Sequence, residues 1–195
     1  PVDTPYWRDY INGQWDQGRA FLYESGNNAD RIIFWSRIPF IFLTLFFGIL
    51  LWRWTRERFG HLTALFTLLF FAFSPTMLAH ARYVTTDLGA AFGFFIGFIA
   101  FIKFLETPSW KNVTLAGVVL GIAELLKFSL ILLIPLYGIL ILAWVFTRPH
   151  LHLHERVSDF FTLAGKTIAM GLIGIFIIWI AYIPLVINYP EEKQY

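Results

Sequence analysis

Residues 113–146 form one apolar run that holds only two charged side chains, Glu124 and Lys127. As a single helix the run would reach roughly 50 Å. A bilayer's hydrocarbon is only about 30 Å thick, so the run has to turn back on itself. Residues 62–73 and 88–102 carry no charge at all. The chain is 57% hydrophobic and 14% charged, with a mean hydropathy of +0.63. Soluble domains average about 25% charged residues, so this chain has too little polar surface to cover itself in water. A net charge of +2 from dispersed basic residues gives no case for nucleic acid. The absence of cysteine excludes disulfides and thiolate metal sites. The first residue is proline and no signal peptide precedes the first span, so we read the chain as a fragment.

The uncharged runs predict an all-α, polytopic membrane helix bundle of about six spans, near 32–54, 61–78, 87–105, 112–127, 128–146 and 167–187. The turn that splits the long run falls at Lys127-Phe128-Ser129. The split satisfies the positive-inside rule: loops 53–60, 106–111 and 147–166 hold Arg53, Arg56, Arg58, Lys111, Arg148, Arg156 and Lys166, and six spans put them all on the cytoplasmic side. Residues 1–31 are then an external juxtamembrane segment, 32–187 the bundle, and 188–195 the start of an external loop. The external face also receives the polar break between Ser74 and Asp87, with Arg82 inside it, and the Lys127 turn. Intramembrane charge is costly and marks function by default.

The N-terminal segment is polar but rich in rings (Tyr6, Trp7, Tyr10, Trp15, Phe21, Tyr23). It is either a set of short interfacial helices or a solvated loop. Gly89, Gly93 and Gly97 recur every four residues, as do Gly117 and Gly121, which marks helix-packing faces. Glu124 shares the Gly121 face and so points into the bundle, where an i, i+3 pair with Lys127 is open to it. The alternation of His150, His152 and His154 suggests metal at first sight, but lies in a cytoplasmic loop without a fourth ligand. Asn112-Val113-Thr114 matches a glycosylation sequon at the cytoplasmic end of a span. Arg53, Arg56 and Arg58 read as topology determinants near anionic lipid.

An ordered series of short motifs adds to this. Ser36-Arg37-Ile38-Pro39 is followed by Arg58-Phe59-Gly60, Phe73-Ser74-Pro75, Leu78-Ala79-His80 and Val84-Thr85-Thr86-Asp87. Pro108-Ser109-Trp110-Lys111, Leu115-Ala116-Gly117, Leu120-Gly121, Leu126-Lys127-Phe128-Ser129 and Leu133-Ile134-Pro135 complete it. Over residues 34–135 the series resembles the bacterial polyprenyl-phosphate-dependent glycosyltransferases (glycosyltransferase family 39), which include protein O-mannosyltransferases and the aminoarabinose transferases of lipid A. The resemblance implies a GT-C fold in a multi-pass plasma (inner) membrane protein, with its active face external or periplasmic. It also implies transfer of a sugar from a polyprenyl-phosphate donor to an acceptor protein or glycolipid. The family's acidic motif in the first external loop has no match at Asp3, Asp9 or Asp16, so transfer is expected of the complete protein rather than of this fragment.

Asp87 resembles the family's second acidic position and is the catalytic candidate. Arg82, Lys127 and Arg37 are candidates for the lipid phosphate, as bidentate or point cations. His80 is a candidate for orienting a hydroxyl, and Glu124 a candidate for substrate contact. Transition-state charge on the leaving phosphate calls for cations, and an acceptor hydroxyl calls for a carboxylate. Nothing in the sequence requires a metal, although a divalent ion is compatible with it. A transporter segment and a non-catalytic scaffold are the alternatives. The first predicts inverted repeats, which are not visible, and the second leaves the one-sided charges unexplained.

Overall fold

The computed structural model describes residues 4–147 and 152–187. Asp3, Arg148, His150 and the expected loop at 188–195 lie outside them. The described chain is an all-α membrane bundle that divides into two compact units, residues 1–85 and 86–195.

The first unit opens with short helices α1 (Pro5–Arg8) and α2 (Gln14–Arg19), then a wide π-helical turn, Ala20–Glu24. Of the two readings of this segment, the helical one is observed. Local bonds hold it: Thr4 Oγ1 donates to Gln17, Ser25 Oγ to the Ala20 carbonyl at 2.8 Å, and Asn27 to the Phe21 carbonyl at 2.7 Å. Tyr10, Trp15 and Tyr23 stay exposed.

Helix α3 (Ala29–Phe59) starts at Asn28, whose side chain accepts the Arg31 N–H at 3.0 Å, an N-cap that satisfies one orphan donor. It ends at Gly60, whose φ of +88° suits a residue without Cβ. Gly60 also precedes the first residue of α4 (His61–Phe73), so the two helices turn back on a single residue. Gly48 lets Phe71 approach to 3.2 Å from where a Cβ would stand, and Phe47 meets Phe71 edge-on at 5.0 Å. Proline at 75 biases Ser74 toward extended backbone, which Ser74 adopts at ψ 121°. That stops α4 and starts α5 (Pro75–His80), with Ser74 Oγ accepting the Met77 N–H.

The second unit holds α6 (Thr86–Glu106), α7 (Trp110–Leu126), a 3-10 turn (Phe128–Leu132), α8 (Leu133–Phe146) and α9 (Leu153–Val186). The expected split at Lys127 is observed. Among the described residues, four stretches are long and apolar enough to cross a membrane: Ala29–Phe59, Thr86–Glu106, Phe128–Phe146 and Leu153–Val186. Helices α4, at 13 residues, and α7, at 17, are shorter. The last helix starts 14 residues before the apolar run at 167, because residues 153–166 form an amphipathic extension.

The glycine faces find their partners here. A Cβ at Gly93 would fall 2.6 Å from Leu130 Cδ1, and one at Gly97 would fall 2.7 Å from Leu133 Cδ1, so α6 seats the start of α8. Gly117 faces Ile173 and Gly121 faces Ile177 and the Gly174 carbonyl, all within 3 Å of a notional Cβ. Positions on the two helices advance together, so α7 and α9 run parallel, backbone on backbone. The core of this unit, drawn from α6, α7, α8 and α9, holds Phe101, Phe104, Val113, Leu133, Tyr137 and Met170. Outward, Phe42, Leu45 and Ile49 on α3 and Ile168, Leu172 and Ile175 on α9 are exposed, and such continuous apolar faces suit lipid rather than water.

The turn between α6 and α7 is closed by buried Asn112, whose amide donates to the Thr107 carbonyl at 2.8 Å. The sequon at Asn112 is therefore spent on structure. Lys166 of α9 reaches the Pro108 carbonyl at 2.5 Å and lies over Trp110. His152 is the N-cap of α9 and donates its N–H to Glu155 at 2.8 Å. Of the histidine alternation, His152 caps α9 and His154 lies in its first turn, so these two do not share a strand face.

Gly121→Val should push α7 off α9, with a loss of about 1–3 kcal/mol for overpacking. Gly138→Ala, with open space around it, should gain up to about 1 kcal/mol of helix propensity. Thermal unfolding of the two variants in detergent checks both.

Candidate functional site

Helix α7 ends at Leu126, and the next residue leaves the helix. Lys127 has φ −160° and ψ 122°, while its N–H still bonds the Ala123 carbonyl at 3.1 Å. This extended residue carries its side chain off the helical face that an i, i+3 pair with Glu124 needs. Lys127 Nζ instead donates to Asp87 Oδ1 at 2.8 Å. The expected Glu124–Lys127 pair is therefore replaced by an Asp87–Lys127 pair. Asp87 lies in the first turn of α6, where the helix dipole favours a carboxylate. The pair joins the start of α6 to the end of α7, with side chains 51% and 34% exposed. At that exposure an ion pair contributes little to stability.

Glu124 takes a different environment. It lines a cavity of about 310 Å³ between α7, the 3-10 turn, the start of α8, and α9. Its Oε1 is buried without a hydrogen-bond partner. The expectation that Glu124 faces the bundle is met, but toward this cavity rather than toward Lys127. Gly171, Gly174 and Tyr182 on the α9 wall were not singled out in the sequence, since Gly171 and Gly174 stand three residues apart rather than at the four-residue spacing read on α6 and α7.

The remaining candidates belong to the first unit. His80 is half-buried at the end of α5, its Nδ1 3.3 Å from Thr85 Oγ1. Arg82 is exposed, with its guanidinium 5.4 Å from the ring centre of Tyr83. Arg37 is exposed on α3. Among the six candidates the structure thus joins Asp87 with Lys127. Tyr137, which the sequence reading missed, supports α6 from beneath. Its hydroxyl donates to the Gly97 carbonyl at 3.0 Å and its ring stacks on Phe101 at 3.9 Å. A lone tyrosine in an apolar run opposite a glycine face was the available signal. Among the described residues no three His, Cys, Asp or Glu are grouped to hold a metal ion.

A carboxylate and an ammonium are thus in contact and partly exposed at the junction of α6 and α7.

In comparison with known families, residues 29–179 match the model described as dolichyl-phosphate-mannose-protein mannosyltransferase. No curated protein matches the chain, and no solved structure does.

Asp87→Asn and Lys127→Met should each lower stability by no more than about 1 kcal/mol, and the double variant should show coupling of the same order. A double-mutant cycle of thermal unfolding in detergent measures it.

Proposed function

The chain belongs to the dolichyl-phosphate-mannose-protein mannosyltransferase family, and we propose that the complete protein transfers a sugar from a polyprenyl-phosphate donor at a site that includes the Asp87–Lys127 pair. Membership makes it part of a family of membrane glycosyltransferases. The observation that carries the reading further is the 2.8 Å contact between Lys127 Nζ and Asp87 Oδ1.

In this reading the donor phosphate takes over the Lys127 ammonium. Lys127 acts as a compact point charge and stabilises the charge that grows on the phosphate as it leaves. Asp87 orients the acceptor hydroxyl and takes its proton. The acceptor oxygen bonds to the anomeric carbon, the bond from that carbon to the phosphate oxygen breaks, and the phosphate departs with the electron pair. Arg82, Arg37 and His80 belong to the other unit and stay candidates for phosphate and hydroxyl contacts on the resemblance alone. Glu124, an anion in a separate cavity, would repel a phosphate and stands outside this set. The acceptor is a protein or a glycolipid hydroxyl, and the reacting face is the external face of the inner membrane, as the distribution of arginine and lysine supports.

In membranes carrying the full-length protein, Asp87→Asn should lower transfer at least about tenfold, or about 1.4 kcal/mol of transition-state stabilisation, with normal insertion. Lys127→Met should weaken donor binding. Wild-type turnover in Asp87→Asn would reduce that carboxylate to a helix-start residue. For sidedness, single cysteines at positions 56 and 127 should label from opposite faces. Labelling from one face would refute the assignment.

A further inference from the structure

The cavity beside Glu124 is not used by the reaction proposed above, and its features ask for a ligand of their own. Its lining is apolar apart from Glu124 and Tyr182. Leu125, Phe128, Ile131 and Ile175 on its walls are also exposed outward, so the cavity opens onto an apolar surface of this unit. At about 310 Å³ it stands at the lower end of the ~300–1,000 Å³ of small-molecule sites, which suits one end of a long molecule. Glu124 lies in the last turn of α7, three residues before Lys127. There its Oε1 is buried with no donor. A buried carboxylate acceptor without a partner is costly, and a cation that arrives on an apolar body would remove that cost.

We infer that this cavity binds an aminophospholipid, whose primary ammonium donates to Glu124 Oε1 while the start of an acyl chain lies along Leu120 and Ile178. Charge complementarity selects the occupant. A lipid without a cation brings nothing to offset a carboxylate in an apolar wall, and a quaternary amine has no N–H to donate to it. A primary ammonium meets both demands. Gly171 provides the room: nothing stands within 4 Å of a notional Cβ there, so a larger side chain would enter the cavity without striking the backbone. The site is independent of the Asp87–Lys127 reading.

The test is native mass spectrometry of the chain released from vesicles. The vesicles hold equal amounts of phosphatidylethanolamine, phosphatidylcholine and phosphatidylglycerol with identical acyl chains. Wild type should retain phosphatidylethanolamine over phosphatidylcholine by about tenfold, the effect of one hydrogen bond to a charged group. Glu124→Leu should abolish that preference, and Gly171→Leu should lower retention of all three lipids. Should Glu124→Leu fail to fold, Glu124→Gln keeps the shape and should lose most of the preference. Equal retention of ethanolamine and choline lipids by wild type would overturn the proposal. So would a preference unchanged in the folded Glu124 variant, or a lipid-free dimer showing a second copy to be the occupant.

Discussion

The close approach of α7 to α9 governs the second unit. Lipid offers helices no hydrophobic reason to associate, so packing has to come from backbone proximity and shape. Gly117 and Gly121 supply it by letting Ile173, Ile177 and the α9 backbone within 3 Å of where side chains would begin. Because α7 is fixed along that line, its C-terminal end is fixed too, and Lys127 reaches Asp87 from a defined position. The same contact leaves Glu124 facing α9, where the glycine wall opens a cavity instead of closing one. One packing decision thus sets both the ion pair and the unpaired carboxylate.

Much of this was legible in the sequence. Ser74-Pro75 announced a break because a proline restricts the residue before it, and the long apolar run announced a fold-back because one helix of that length does not fit a bilayer. The glycine spacing identified packing faces correctly, yet spacing alone does not name a partner. That α6 glycines seat the start of α8, and α7 glycines seat α9, follows from tertiary topology. The start of α9 at Leu153 was hidden for a related reason. Hydropathy finds where a helix meets lipid, and the charged turns of residues 153–166 extend the helix beyond it.

The candidate site shows the same boundary. Asp87 and Lys127 were recognisable as charges that apolar surroundings would not hold without purpose. Their pairing was not, because helical periodicity assigned Lys127 to the face of Glu124. Periodicity holds only while backbone dihedrals stay helical, and Lys127 is the first residue past that limit. The sequon at Asn112 was set aside for its cytoplasmic place, but its structural use was not legible: the side chain closes a turn, since a short polar group beside a helix start most readily satisfies nearby backbone.

Gly60 carries a different kind of consequence. As the single residue between α3 and α4, it leaves no slack for either helix to enter a bilayer ahead of the other. The two must be threaded as one hairpin, with Arg53, Arg56 and Arg58 held back at its tip. Any side chain at position 60 that resists a positive φ would therefore be felt during biogenesis, at the moment the hairpin has to close, before any finished fold exists to be destabilised.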